Sequence, residues 1–98
     1  MSADQTIDTF CTALQNKDYQ TAYDQLSDNA RSGYSETQFA SDASAISTCS
    51  HDFPVQVEGT ATAILTLGNS AGQTVRDKAF LIKDSNGDWK IDRLQKVA

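Results

Sequence analysis

The sequence predicts an α+β domain: three N-terminal helices packed on a curved antiparallel sheet of three to four strands, with a cone-like outline. Three observations lead there. Apolar residues recur at helical spacing through the first half of the chain, alternation with a period of two takes over after Pro54, and polar turn sequences at Gly68–Gln73 and Asn86-Gly87 cut the second half into strands that fold back on one another. At 98 residues the chain is one domain, with a core small enough that an added constraint would help.

Each element follows from local chemistry. Ser2-Ala-Asp-Gln5 has the form of a capping box, and Ile7, Phe10, Cys11 and Leu14 then repeat on one face, which predicts a first helix over about 3–16. Asp18 is placed to cap a second over about 18–27, with Tyr19, Ala22, Tyr23 and Leu26 inward. Ser35-Glu-Thr-Gln38 is another capping box and opens a third over about 36–48, with Phe39, Ala43 and Ile46 inward and Cys49 one turn further. Pro54 excludes helix across the junction and starts a strand over about 53–67, long enough to bend at Gly59. Strands over about 73–84 and 88–97 complete the meander. Asn86-Gly87 reads as a two-residue hairpin turn, because both central positions of a type I′ turn need positive φ. In that register Phe80 faces Arg93, and Phe80, Ile82, Trp89 and Ile91 form the wall on which the helices pack; Leu67 facing Thr74 brings Ala61 opposite Phe80.

Cys11 and Cys49 fall on the apolar faces of their predicted helices, where a disulfide would close a loop of about 39 residues and contribute about 3–4 kcal/mol; the other reading is two buried free thiols. Ten Ser, ten Thr and few Lys fit an extracytoplasmic protein. No stretch has the length to span a bilayer, and no signal peptide is present; Met1 followed at once by a capping Ser reads as the start of a trimmed mature domain, so a membrane enters only through a tether outside this sequence. The pI of about 4.5 argues against a nucleic-acid partner. Charge is uneven: residues 1–75 carry nine acidic and two basic groups, residues 76–98 four acidic and six basic. Attraction between an acidic helical layer and basic strands, with ordinary solvated faces, accounts for this.

Phe10-Cys-Thr-Ala-Leu-Gln-Asn-Lys-Asp-Tyr-Gln-Thr-Ala-Tyr23, then Leu26-Ser27, Ser35-Glu36 with Phe39, Cys49 before the first strand, and Trp89-Lys-Ile-Asp92 together resemble the nuclear transport factor 2-like superfamily, nearest its small secreted or lipoprotein-type bacterial members. The resemblance implies a cone with a pocket at its open end and frequent dimerisation through the outer sheet face. That fold hosts isomerases, dehydratases, transport adaptors and plain association domains, so it does not set a function. The enzymes place an acid, or a His–Asp pair, deep in an apolar pocket; here the core-facing parity offers no carboxylate among apolar neighbours except Asp84 at a turn.

Among chemistry-bearing residues, His51 is the single histidine, and its spacing from Cys49 supports neither a nucleophile–base pair nor a metal site. Asp84-Ser-Asn-Gly-Asp88 opens like a calcium loop but has Trp89 and Gln95 where that loop needs Gly and Glu, so it reads as a hairpin turn. No metal and no cofactor are implied. Arg76, Lys78 and Arg93 share parity with Phe80 and Trp89, which puts three cations beside an apolar concave floor, suited to a carboxylate or similar anion, with Tyr19 or Tyr23 supplying a hydroxyl and Asp8 or Asp24 able to neutralise them. On the opposite face Ile64, Val75, Leu81 and Leu94 read as a homodimer seam. The preferred reading is a non-enzymatic extracytoplasmic association or scaffold domain. The alternative is a small-molecule binding domain holding an anion in the concave pocket, and the third is an enzyme of isomerase or dehydratase type.

Overall fold

The computed structural model describes residues 1–97 and has four helices and a five-stranded antiparallel sheet. Helix α1 (Ala3–Gln15) starts at a complete capping box: Gln5 N–H donates to Ser2 Oγ at 3.1 Å and Ser2 N–H to Gln5 Oε1 at 2.8 Å. It buries Ile7, Phe10, Cys11 and Leu14 as the spacing requires. Asn16 ends it, Lys17 turns at φ 59°, and Asp18 caps α2 (Tyr19–Asp24) by accepting from Thr21 N–H. Two short helices follow, α3 (Asp28–Arg31) capped by Ser27 and α4 (Glu36–Ala43) capped by Ser35. Lys17 Nζ reaches the carbonyls of Ser44 (3.1 Å) and Ile46 (2.6 Å), so a cation satisfies acceptors exposed where α4 ends.

The third helix is shorter than the sequence suggests. It stops at Ala43, and Thr48–His51 form strand β1, so Cys49 sits on a strand. Cys11 and Cys49 form a disulfide that ties α1 to β1, with Cα atoms 5.1 Å apart. The predicted 53–67 strand is two strands. Glu58 adopts φ 54° and, with Gly59, folds β2 (Val55–Val57) back on β3 (Thr60–Gly68), pairing Val57 with Thr60. The expected bend at Gly59 is a tight hairpin. β4 (Thr74–Lys83) and β5 (Trp89–Lys96) complete the order β1-β3-β4-β5, with β1 and β2 both pairing with β3.

The register differs from the predicted one by a single residue on each side of β4: Leu67 faces Val75, and Ile82 faces Lys90. Both turns have the same cause. Asp84 N–H donates to Asp88 O (2.8 Å), Gly87 N–H to Asp84 O (3.0 Å), and Asp84 Oδ1 accepts from the N–H groups of Asn86 and Asp88, both at 2.9 Å. The loop therefore has three residues, with Gly87 alone at positive φ, in place of a two-residue Asn-Gly turn. Asn69-Ser-Ala-Gly-Gln73 repeats it: Asn69 Oδ1 accepts from Ala71 and Gln73 at 3.0 Å each, and Gly72 has φ 83°. Two such turns flip β4 alone. Ala79 and Leu81 face the helices and are buried, whereas Phe80 and Ile82 stand half-buried on the outer face. A bulge between Phe80 and Leu81 then brings Arg93 opposite Phe80, as expected, although both lie outside.

The core lies between this sheet and α1: Ile7, Phe10, Leu14, Leu65, Leu81 and Ile91 are almost wholly buried, with Trp89 beside them. Thr6 Oγ1, also buried, donates to Trp89 O at 3.0 Å. Along the outer side of β5, Ile91 N–H donates to Gln25 O (2.8 Å) and Ser27 N–H to Ile91 O (2.9 Å), so the segment between α2 and α3 occupies that edge.

Candidate functional site

Two regions of the molecule have the chemistry for recognition: the open end of the cone and the outer face of the sheet. At the open end, Phe10 and Leu14 of α1, Phe39 and Ala43 of α4, Ile46, Leu67 of β3 and Leu94 of β5 line a cavity of about 140 Å³. Three polar residues share it: Tyr34, Asp42 and Asp77. Phe39 holds the arrangement, with ring centroids 5.9–6.5 Å from those of Phe10, Tyr19, Tyr23 and Tyr34. Tyr23 Oη donates to Tyr34 O at 2.5 Å, which fixes the Tyr34 backbone, and Tyr34 Oη donates to Asp42 Oδ2 at 2.6 Å. Burial, then the hydrogen bond and negative charge of Asp42, push the Tyr34 phenol up to about 12, so it stays a donor.

The structure does not bring the predicted anion site together. Flipping β4 moves Arg76 and Lys78 to the outer face, and the bulge sends Arg93 there as well. The Arg93 guanidinium lies 4.0 Å from the Phe80 ring centroid and Lys78 Nζ lies 5.4 Å from it, so Phe80 is stacked by cations from two strands. Arg93 also borders a cavity of about 430 Å³ with Leu26, Tyr34, Phe39 and Leu94 beside the open end. Trp89 is a core residue, Tyr19 and Tyr23 pack on Phe39, Asp8 meets His51, and the Asp24 carbonyl accepts from Lys90 Nζ at 2.9 Å. The expected dimer seam is dispersed by the same shift: Leu81 is buried in the core, Leu94 lines the open-end cavity, Val75 has the inward parity of β4, and of the four Ile64 alone is on the outer face. Conversely, Asp77 was hidden by the wrong register. It is the carboxylate on the core-facing side of β4 that the sequence reading did not find, and the twin Asx-x-x-Gly turns were the signal that could have exposed it.

On the outer face Val55 and Val57 of β2 are 67% and 65% exposed. Beside them run Thr60, Thr62, Ile64 and Thr66 of β3, then Arg76, Lys78, Phe80 and Ile82 of β4, then Lys90 and Arg93 of β5. These positions hold four cations in a chain of net charge −5, with Lys90 tied to the Asp24 carbonyl, Asp92 at the bulge beside Arg93 and exposed Glu58 beside Val57. Among the described residues, none of the four is in an ion pair.

His51 is half-buried between β1 and α1. Its Nε2 lies 3.1 Å from Asp8 Oδ1, its Nδ1 2.9 Å from Asp52 O, and Asp4 Oδ1 is 3.9 Å away. Both ring nitrogens face acceptors, which only the protonated ring satisfies. Burial works against that charge, but the Asp52 carbonyl, Asp8 and Asp4 outweigh it and raise the His51 pKa. Cys49 is in the disulfide, so no Cys–His pair exists. Among the described residues no cluster of three metal-ligating groups occurs, and no helix is long and apolar enough to cross a membrane.

This geometry has solved counterparts. A candidate ketosteroid isomerase from Shewanella frigidimarina superposes with a TM-score of 0.71 at 15% identity, covering 98% of this chain and 95% of that one. A cystatin-fold protein from Novosphingobium aromaticivorans gives 0.68 at 13% identity over 100% and 99% of the two chains. A nuclear transport factor 2-like superfamily protein from Salmonella enterica gives 0.63 at 14% identity, over 97% and 87%. The fold is nuclear transport factor 2-like. No family model matches the sequence, and no curated protein does. At these identities the likeness extends to architecture alone, helices packed on an antiparallel sheet.

Proposed function

We propose that this chain is a non-enzymatic, extracytoplasmic association domain whose working surface is the outer face of its sheet. The observation that carries this reading is the composition of that face: exposed valines, a row of threonines and the cations Arg76, Lys78 and Arg93, on an otherwise acidic molecule. The disulfide supports an oxidising compartment. Two copies stacked by this face would oppose like charges, so the partner is a body other than a second copy. A photoreactive residue replacing Thr62, at the centre of the face, is expected to capture the partner in producing cells, and one replacing the exposed Thr12 of α1 is not. Equal capture from both positions, or from neither, refutes the reading.

Asp77, Asp42 and Tyr34 favour a second reading, a small ligand at the open end. Because its polar groups are two acids and a phenol, that ligand is neutral or cationic, and the anion of the original expectation is excluded there by charge. Small amines with an apolar body should shift the NMR resonances of Leu67 and Leu94, and Asp77→Asn should abolish the shift. Unchanged spectra with such amines remove this reading.

A further inference from the structure

We infer that the outer sheet face docks on an acidic-lipid bilayer surface. The inference rests on the association reading and names its partner. The face presents Arg76 and Lys78 two residues apart on β4 and Arg93 on the neighbouring strand, while Lys90 is tied to the Asp24 carbonyl at the edge of β5. Such an array reads surface charge density; it does not converge on one anion, as a pocket for a single carboxylate would. Threonines and half-buried Ile64, Phe80 and Ile82 fill the spaces between the cations, so the side chains laid against the partner are short, polar or apolar, and uncharged. Val55 and Val57, both about two-thirds exposed at the margin of the same face, add apolar contact at the headgroup boundary.

The acids on the helices do not cancel this attraction: they stand on the opposite side of a molecule at least 23 Å across, whereas fields in saline decay over about 8 Å, and the acids nearer the face, Asp52, Glu58 and Asp92, sit at the margins of the sheet. The charge asymmetry also orients the domain, sheet down and helices outward. Each cation near an anionic bilayer is worth about fivefold in affinity.

The test is co-sedimentation of the intact chain with phosphatidylcholine vesicles, with and without about 30 mol % phosphatidylglycerol. Binding to the anionic vesicles that weakens steeply with salt is expected. Arg76→Gln with Lys78→Gln should then lower affinity about 25-fold, while Lys83→Gln with Lys96→Gln, which removes the same charge from the inward parity of β4 and β5, should leave it within about twofold. Equal binding to neutral vesicles, equal effects of the two double variants, absence of vesicle binding, or binding to a soluble polyanion such as heparin alone would each overturn the inference. Capture of a protein from the Thr62 position without vesicle binding leaves the association reading standing and removes the bilayer; failure of both removes both.

Discussion

Reducing the Cys11–Cys49 bridge should destabilise the domain by about 4 kcal/mol. The two cysteines are 38 residues apart, and the loop they close contains α2, α3 and α4 entirely. In the unfolded chain a cross-link over that length removes about 13 cal/mol/K of entropy, or about 4 kcal/mol at 25 °C. A domain of 98 residues has an unfolding entropy of about 0.2 kcal/mol/K near its midpoint, so the expected fall in Tm is about 15–20 °C. That is a large share of a total stability of about 5–15 kcal/mol. Cys11 and Cys49 are 3% and 7% exposed, so a reductant reaches them only in the unfolded chain. The assay therefore reduces the protein in denaturant, refolds it with reductant present, and compares calorimetric and urea unfolding with the oxidised form. If the bridge acts on the unfolded state, the urea m-value should rise on reduction, because a longer free chain exposes more surface. A loss below about 1 kcal/mol with an unchanged m-value would refute this account.

Three further outcomes follow from the geometry. Leu81→Ala should cost about 2–5 kcal/mol and Ile82→Ala about 1 kcal/mol or less by urea unfolding, since the twin turns put Leu81 in the core and Ile82 outside; the reverse order would restore the two-residue turn. His51, as the sole histidine, can be titrated cleanly by NMR: its pKa should lie above 6.5, so its stabilising contribution is full below about pH 6.5 and is lost as pH rises through the folded-state value. Asp8→Asn should flatten that dependence of Tm, and a His51 pKa at or below 6.5 would contradict the pairing. Ultraviolet titration should find one tyrosine ionising near 12, and Asp42→Asn should bring it back towards 10; no change on substitution would break the link between Tyr34 and Asp42.

The first helix and the starts of α2 and α4 were legible because their signals are local, whereas the second helix, expected over about 18–27, ends at Asp24 because Gln25–Ser27 bond to β5, and the short α3 that follows was not expected. Ser2, Asp18 and Ser35 cap where their side chains can reach the next free N–H groups, and Ile7, Phe10, Cys11 and Leu14 repeat on the face that is buried. β1 was not legible: Thr48–His51 are extended because β3 offers an unpaired edge, and that partner is remote in sequence. The sheet was legible as a meander but not in register. Asn86-Gly87 is a strong two-residue turn signal, yet Asp84 two residues earlier outcompetes it with a side-chain oxygen that satisfies two N–H groups at once, and Asn69 does the same at the other turn. Because side chains alternate with a period of two, each one-residue difference exchanges the faces of β4. The anion site was lost and Asp77 was gained by the same exchange. Tyr34 and Asp42 were not singled out because nothing in their spacing marks a hydrogen bond between them.

The segment Gln25–Ser27 bonded along β5 has a consequence for solubility. A sheet that grows from molecule to molecule needs two templating edges, one to receive a strand and one to offer it. Here β5 is already engaged at Ile91, and the other margin is broken by Asp52–Pro54 into two short strands of four and three residues. Both margins therefore offer only short runs of free backbone to an added strand, which hinders edge-to-edge growth in a protein that displays exposed valines and a wide sheet surface.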